Sequence, residues 1–231
     1  MSRFVKPPGR RRYDASGRKA AARETRRAIV AAARRLFLER GYARTTMTAI
    51  AEAAAVSVET LYLAVGPKAA IVRYLVETSL SGSEEPVPAP ERDWVGEFTA
   101  EPDPWRKIRL HAAPAIRELL ERLAPLWAVL LEAAPGDAEL RSLMEELNGR
   151  RVGHMRLMAQ HLAHQSALRS GLAVDTAADI LWAMNSTEFY GLLVRERGWD
   201  PATFELWLAD AWIRLLLPDR PESAPENRAR A

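Results

Sequence analysis

Residues 46–68, TMTAIAEAAAVSVETLYLAVGPK, decide the fold of the N-terminal part of the chain. Thr46 and Ser57 each precede a short stretch with helical periodicity, so each predicts the N-cap of a short helix. The small and apolar residues between the two stretches allow the helices to pack closely around a tight turn. Two short helices joined in this way form a helix-turn-helix, whose second helix can project its first side chains into the major groove of DNA.

Helical patterns flank this motif on both sides. Upstream, apolar residues recur at three- and four-residue steps and predict a buried helix face: Ile29, Ala32, Ala33, Leu36 and Phe37. That helix is expected to end at Gly41, and Pro67 suits the first turn of a fourth helix that runs to about Leu80. Residues 26–80 are therefore predicted to form four helices. The middle pair is too short to be stable alone and must pack on its neighbours.

The rest of the chain is also predicted to be helical. Prolines concentrated in residues 81–104 predict a linker or irregular loop. Further helices are expected over 105–123, from Pro125 onward, from Asp137 to about Gln165, from Asp175 to Gly198, and after Asp200 and Pro201. The predicted fold class is all-α. The expected divisions are a flexible basic arm (1–25), a helix-turn-helix DNA-binding domain (26–80), a C-terminal helical domain (81–217) and a disordered tail (218–231).

Charge is unevenly distributed along the 231 residues. The formal net charge is +3, but residues 1–73 contain 16 basic and 5 acidic groups, whereas the remainder carries a net charge of −8. A basic N-terminal part suits a polyanionic partner, although a merely solvated tail explains the arm equally well. The absence of cysteine excludes disulfides and thiolate metal sites. No apolar run approaches the roughly 20 residues of a membrane span, and no targeting peptide is recognisable, so a cytoplasmic protein is expected.

Residues 26–73 resemble the TetR/AcrR family of bacterial transcriptional regulators. The residues that carry the resemblance are Ile29, Ala32, Ala33, Leu36, Phe37, Gly41, Tyr42, Thr45, Thr46, Ile50, Ala51, Ala54, Val56, Ser57, Thr60, Leu61, Tyr62 and Lys68. A weaker similarity to the C-terminal ending of some members lies at residues 197–201 and 207–209. The chain departs from the family at two positions, because Ala55 and Val65 stand where many members have Gly and Phe.

The resemblance implies a sequence-specific DNA-binding regulator and assigns roles to particular residues. Thr46, Tyr62 and Lys68 are expected to contact phosphates, and Arg44, which precedes the second helix, is a further phosphate candidate. Val58, Glu59 and Thr60 are expected to face bases. Glu59 could accept a hydrogen bond from cytosine N4, but simple solvent exposure or a local ion pair with an arginine also explains it.

For the C-terminal part, the resemblance implies homodimerisation and binding of a small effector. Wide apolar stripes on the last two predicted helices fit either a dimer interface or ordinary core. Such a dimer would act on a palindromic operator, most simply as a ligand-responsive repressor associated with the nucleoid. A largely apolar effector is expected in a pocket lined by Trp105, Ile108, Trp127, Leu130, Met144, Asn148, Arg151, Met155, Met158 and Asn185. Plain core packing is the competing explanation for these side chains.

Other function classes have weaker support in the sequence. An all-α binding or sensor protein whose basic arm contacts RNA or acidic partners is the main alternative. An enzyme is not expected, because no phosphate-binding glycine loop, nucleophile elbow or dinucleotide fingerprint occurs. His154, His161 and His164 have no carboxylate nearby that would complete a metal site, so no metal or cofactor is expected.

Overall fold

The computed structural model describes residues 15–220, and these residues contain helices and turns but no strand. The all-α prediction is therefore confirmed for this part of the chain. The chain divides into two compact units, and the boundary lies between Ile71 and Val72. Among the described residues no single helix is long and apolar enough to cross a membrane; one bent pair, Met47–Ala53 with Val58–Val65, passes the same test of length and composition.

In the N-terminal unit, the described residues form three helices and the start of a fourth: α1 (Ala15–Arg44), α2 (Met47–Ala53), α3 (Val58–Val65) and α4 (Lys68–Ser81). Helix α1 begins earlier than predicted, so residues 15–25 are helical rather than part of a flexible arm. The reason is their composition of alanine, arginine, lysine and glutamate, which are strong helix formers. Residues 1–14 of the predicted arm lie outside the described residues.

Gly41 interrupts α1 where the sequence predicted its end. Its φ of 78° and ψ of 170° are not helical, and the positive φ is accessible to glycine without a steric penalty. The hydroxyl of the fully buried Thr45 then donates to the carbonyl oxygens of Leu36, at 3.1 Å, and Gly41, at 2.8 Å. The core of this unit consists of the predicted face of α1 together with Ile50, Ala51, Leu61, Ala69 and Ile71.

Up to residue 220, the C-terminal unit continues α4 and adds seven helices: α5 (Asp93–Ala100), α6 (Pro104–Arg106), α7 (Ala113–Ala133), α8 (Ala138–His164), α9 (Val174–Met184), α10 (Thr187–Tyr190) and α11 (Pro201–Leu216). A π-helical stretch, Lys107–Ala112, joins α6 to α7, and a second, Gly191–Glu196, follows α10. Short 3₁₀ turns lie at Ala89–Glu91 and Ala134–Gly136. Asp137 and Asp200 cap α8 and α11, as predicted.

Three sequence-based boundaries in this unit are wrong. The predicted linker contains α5, which buries Phe98 despite the surrounding prolines. No new helix begins at Pro125, because this residue lies inside α7. The helix predicted from Asp175 to Gly198 is divided, because Asn185 leaves the helical conformation and the Ser186 hydroxyl caps α10 by accepting from the Phe189 backbone N–H at 3.0 Å.

The last helix supplies much of the C-terminal core. Phe204, Leu208, Trp212 and Leu216 recur at four-residue steps and are fully buried. They face α7, α9 and the first π-helical stretch, on which α11 packs. Most of the apolar stripe of α11 is therefore core of its own unit.

Candidate nucleic-acid interface and ligand cavity

Helices α2 and α3 are bent by 98° relative to each other, within the range of a helix-turn-helix. Both predicted caps are present. The Thr46 hydroxyl accepts from the Ala49 backbone N–H at 3.1 Å, and the Ser57 hydroxyl accepts from that of Thr60 at 3.0 Å. These side chains satisfy N–H groups that a helix start leaves unpaired, so two very short helices begin at defined positions.

The turn between the helices places Ala55 in the left-handed region, with a φ of 54°. The Ala55 N–H donates to the Glu52 carbonyl at 3.1 Å, and the Val56 N–H donates to the Ala51 carbonyl at 3.0 Å. This pair of hydrogen bonds defines a Schellman motif at the end of α2. The left-handed position of that motif is usually a glycine. Ala55 therefore holds a strained conformation at the position where the related family often has glycine.

Helix α3 has one buried and one open face. Leu61 is fully buried, whereas Val58, Glu59, Thr60 and Tyr62 are exposed. The four side chains expected to meet DNA on this helix thus lie on its accessible surface. Sequence reasoning missed Leu63, which is 83% exposed. Helical geometry could have identified it, because a residue two positions after a buried one points about 200° away from it.

The basic candidates lie beside α3 rather than on it. Arg44 is exposed, and its Nε donates to the Arg40 carbonyl at 2.8 Å. Lys68 begins α4, and its Nζ lies 3.9 Å from the centroid of the Tyr42 ring, a cation–π contact that orients the ammonium group. Arg26, which the sequence analysis did not single out, donates from Nη1 to the Ala64 carbonyl at 3.3 Å, near the end of α3. No Lys or Arg occurs between Thr46 and Val65.

The C-terminal unit encloses a cavity of about 370 Å³. Its walls come from the end of α4, residues 89–99, α7, α8 and the segment at Asn185 and Thr187. Of the ten predicted pocket residues, six line this cavity: Trp127, Asn148, Arg151, Met155, Met158 and Asn185. The cavity also includes side chains that the sequence does not predict as pocket residues, among them Arg92, Trp94 and Phe98, because the prolines of residues 81–104 predict a linker there.

Four predicted pocket residues lie outside the lining of this cavity. Ile108 and Leu130 are fully buried in the interior without lining the cavity. Met144 lies on α8 almost one turn before Leu147, which is the first residue of this helix on the cavity wall. Trp105 lines a separate charged surface depression, where the Arg220 guanidinium carbon lies 5.6 Å from its ring centroid.

Polar groups of the cavity cluster on α8 and on the break between α9 and α10. The Arg151 Nη1 donates to the Asn185 carbonyl at 3.1 Å, and the Arg151 guanidinium carbon lies 4.8 Å from the Trp182 ring centroid. Burial lowers the pKa of Arg151, which the nearby carboxylate of Glu188 partly opposes. Burial lowers the pKa of His154 as well, with further contributions from Arg92 and Arg150. The cavity is therefore a mostly apolar space whose wall includes a partly buried guanidinium, that of Arg151.

The described residues include no group of side chains that could bind a metal ion together. Within residues 15–220, no three His, Asp or Glu side chains come together in a group that could hold a metal ion. His161 lies against Phe98, with ring centroids 5.5 Å apart, and lines the cavity beside the apolar side chains.

Comparisons with known proteins give a sequence match in the helix-turn-helix region and a similar fold over most of the chain. Residues 29–75 match the sequence model of bacterial regulatory proteins of the tetR family. The fold is similar to that of NalD from Pseudomonas aeruginosa, the secondary repressor of the MexAB-OprM multidrug efflux pump, with 26% identity and a TM-score of 0.65 over 85% of this chain and 98% of NalD. A search of curated proteins by sequence found no match.

Two more distant structures share the fold. The SmeT–triclosan complex is 20% identical, with a TM-score of 0.62 over 87% of this chain and 99% of SmeT. A regulator from Saccharomonospora viridis in complex with choline is 18% identical, with a TM-score of 0.62 over 84% of this chain and 98% of that protein. With the capped, right-angled helix pair in the matched segment, the sequence match shows that residues 29–75 form a helix-turn-helix DNA-binding domain of the tetR type, and the chain as a whole shares the all-α fold of these regulators.

Proposed function

We propose that this protein is a homodimeric, ligand-responsive repressor that binds a palindromic operator through α3. The observation that carries the proposal is the exposed face of α3, which presents Val58, Glu59, Thr60 and Tyr62 beside cationic groups on neighbouring helices. Repression is proposed on the likeness to NalD, which is itself a repressor. Catalysis forms no part of this function, and binding to the bacterial nucleoid would place the protein in the cytoplasm.

On DNA, one set of side chains is proposed to contact phosphates and another set to contact bases. Arg44, Thr46, Tyr62 and Lys68 supply charge or hydroxyl groups at the margins of α3 and are proposed to hold the phosphates. Val58, Glu59 and Thr60 occupy the first turn of α3 and are proposed to meet base edges in the major groove. Because the first turn carries no Lys or Arg, discrimination would depend on shape, apolar contact and the Glu59 carboxylate.

The dimer is proposed to form through the C-terminal unit. After the core is filled, the second π-helical stretch and α11 still expose large apolar side chains, with Leu192 52% and Leu206 67% accessible. Exposed leucines on consecutive elements suit a self-complementary two-fold interface. Two reading helices related by such an axis would fit half-sites about 34–36 Å apart, or multiples of that spacing.

The cavity is the proposed effector site. Its volume falls within the range of small-molecule pockets, and its walls are mostly apolar, with Leu120, Leu123 and Trp127 on α7 and Met155 and Met158 on α8. The ligand in the SmeT complex is triclosan, a precedent for small-molecule binding in a protein of this fold. An effector can shift the repressor between states only by binding one state more tightly, typically by about 1–3 kcal/mol.

Ion pairs between α4 and α8 are proposed to report the state of the cavity. Arg73 on α4 lies 2.8 Å from Glu146 on α8, and Arg150 on α8 lies 2.9 Å from Glu77 on α4. Arg150 also lines the cavity, so a ligand that moves this side chain would alter the attachment of α4. Since α4 begins in the DNA-binding unit, we propose that it carries the signal.

The experiment that tests the function is selection of duplexes from a random pool by the purified protein, followed by mobility shifts with the enriched site. We expect a palindromic sequence bound by two protomers, with affinity well above that for random duplex. Sedimentation of the free protein should give a dimer. Equal binding to every duplex at all salt concentrations, or a preference for RNA, would contradict the proposal and favour the basic-arm alternative.

A further inference from the structure

The cavity combines apolar walls with an excess of cationic side chains. Three arginines line it, Arg92, Arg150 and Arg151. Its two histidines, His154 and His161, add no charge near neutral pH, because burial lowers their pKa values. None of its described lining residues is an aspartate or a glutamate. Such a wall favours a ligand with negative charge and disfavours a cation, because nothing on it would neutralise positive charge.

Arg151 differs from the other two arginines in how its charge is satisfied. Arg150 is paired with the carboxylates of Glu77, at 2.9 Å, and Glu146, at 3.5 Å. Arg151 has no carboxylate within ion-pairing distance among residues 15–220; its Nη1 bonds to a carbonyl, and its Nε is buried without a hydrogen-bond partner. A charge held in this way is costly, because burial removes water while Glu188, beyond ion-pairing distance, compensates only in part.

Asn185 is a second incompletely satisfied group on the same wall. Its side chain is 4% exposed, its Oδ1 has no hydrogen-bond partner, and its Nδ2 reaches only the weakly accepting sulfur of Met155 at 3.5 Å. The Asn185 carbonyl already accepts from Arg151, so the two polar groups lie side by side. An anionic oxygen could accept from the Arg151 guanidinium and from the second Nδ2 hydrogen of the Asn185 amide together, whereas the unpartnered Oδ1 could only accept from a donor.

We propose that the effector is an apolar molecule with a single carboxylate, anchored by Arg151 and Asn185 while its body lies among the aromatic and aliphatic walls. This inference rests on the proposed function, since it names the ligand class of the same cavity. The planar guanidinium suits a carboxylate because it can donate two parallel hydrogen bonds. Leu120, Leu123 and Trp127 would cover the apolar body.

The test compares three probes with the same chain and different head groups: decanoate, 1-decanol and decyltrimethylammonium. Their dissociation constants are measured by calorimetry on the full-length protein near pH 7.5, without DNA and below micelle-forming concentrations. A second, rigid pair of probes, 2-naphthoate and 2-naphthol, serves the same comparison if the cavity does not bind a flexible alkyl chain. We expect a carboxylate to bind at least about tenfold more tightly than its neutral partner, and the cation to bind weakest.

Two variants assign the anchor. Arg151→Gln should remove the preference for the carboxylate by lowering affinity for the carboxylate much more than for the neutral probe, and Arg151→Lys should restore part of it. Arg156→Gln is the matched control, because Arg156 lies on the same helix but pairs with Asp175 at 2.8 Å and does not line the cavity. Circular dichroism and the neutral probe show whether each variant retains the folded cavity.

Three results would overturn the inference: equal or tighter binding of the neutral or cationic probe, no binding of either carboxylate up to about 1 mM, or full carboxylate preference in folded Arg151→Gln. Because these measurements use no DNA, they are independent of operator selection. A protein that selects an operator but shows no carboxylate preference would retain the proposed function and lose this inference.

Discussion

The Arg150 guanidinium on α8 lies 2.9 Å from the carboxylate of Glu77 on α4, and Arg150 also forms part of the cavity wall. The Glu77 side chain is only 16% exposed, so this ion pair is better shielded from solvent than most surface pairs. The pair therefore joins the helix that leaves the DNA-binding unit to the helix that contributes most to the cavity.

Glu77→Gln should weaken this connection. We expect the loss of operator affinity caused by a bound effector to change by severalfold, while the free energy of unfolding falls by only about 1 kcal/mol. Fluorescence anisotropy with labelled operator, with and without a bound carboxylate, measures the coupling. Asp210→Asn is the matched control, since it removes the exposed Arg214–Asp210 pair of 2.7 Å on α11 and should leave the coupling unchanged. Identical coupling in Glu77→Gln and wild type would rule out this ion pair as the reporter.

Ala55→Gly should stabilise the protein. Glycine removes the Cβ strain at a φ of 54°, which outweighs its greater freedom in the unfolded chain, for a net gain of about 0.5–1 kcal/mol. Urea denaturation measures the change. Ser166→Gly is a second site of the same kind, with a φ of 53° and a Schellman pair at the end of α8. Ala53→Gly, within α2, should instead destabilise by about 1 kcal/mol, and a loss of stability in Ala55→Gly would contradict the strain argument.

Stability should fall as the pH decreases from about 7.5 to 5.5. The pKa of His154 is lowered mainly by burial and then by Arg92 and Arg150, and burial is also the main cause of the lowered pKa of His161. A histidine with a lowered folded-state pKa costs nothing while both states are neutral. Below its unfolded value of about 6.5, the unfolded chain takes up the proton first, and stability is lost.

Chemical denaturation at several pH values in this window measures the effect. His154→Gln combined with His161→Gln should flatten the profile. His164→Gln, at the last residue of α8, is the control and should leave most of the slope in place, because His164 is only a minor cause of the lowered pKa of His161. Carboxylates such as Glu188 and Asp200 also have lowered pKa values, but their contribution is lost at lower pH. A profile equally steep in the double variant would show that other groups control it.

The sequence predicted the N-terminal unit better than the cavity, for a physical reason. Caps at Thr46 and Ser57, the break at Gly41 and the buried Leu61 are local consequences of residue type, so a single stretch determines them. The cavity depends instead on which helices meet in space. Trp127 and Leu130 lie on the same helix with similar apolar character, yet only Trp127 lines the cavity, and α5 was hidden by the surrounding prolines.

Lys68→Ala should weaken binding to all duplexes alike. Lys68 begins α4 beside the Tyr42 ring, and the proposed phosphate contact carries no base information. The slope of log affinity against log salt should decrease by about one phosphate contact. Arg141→Ala, an exposed position on α8, is the control and should leave the slope unchanged. A changed base preference in Lys68→Ala would show that the assignment to phosphate is wrong.

The central claim is that the exposed first turn of α3 reads base pairs, and Glu59→Ala tests it most directly. Affinities of wild type and variant are measured for the selected operator, for every single base-pair change in one half-site, and for random duplex. We predict that the variant loses discrimination at one or two adjacent base pairs, by about 1–3 kcal/mol each, while its affinity for random duplex stays the same or rises as a negative charge is removed. Unchanged preference at every position, in Glu59→Ala and likewise in Val58→Ala and Thr60→Ala, would contradict the account.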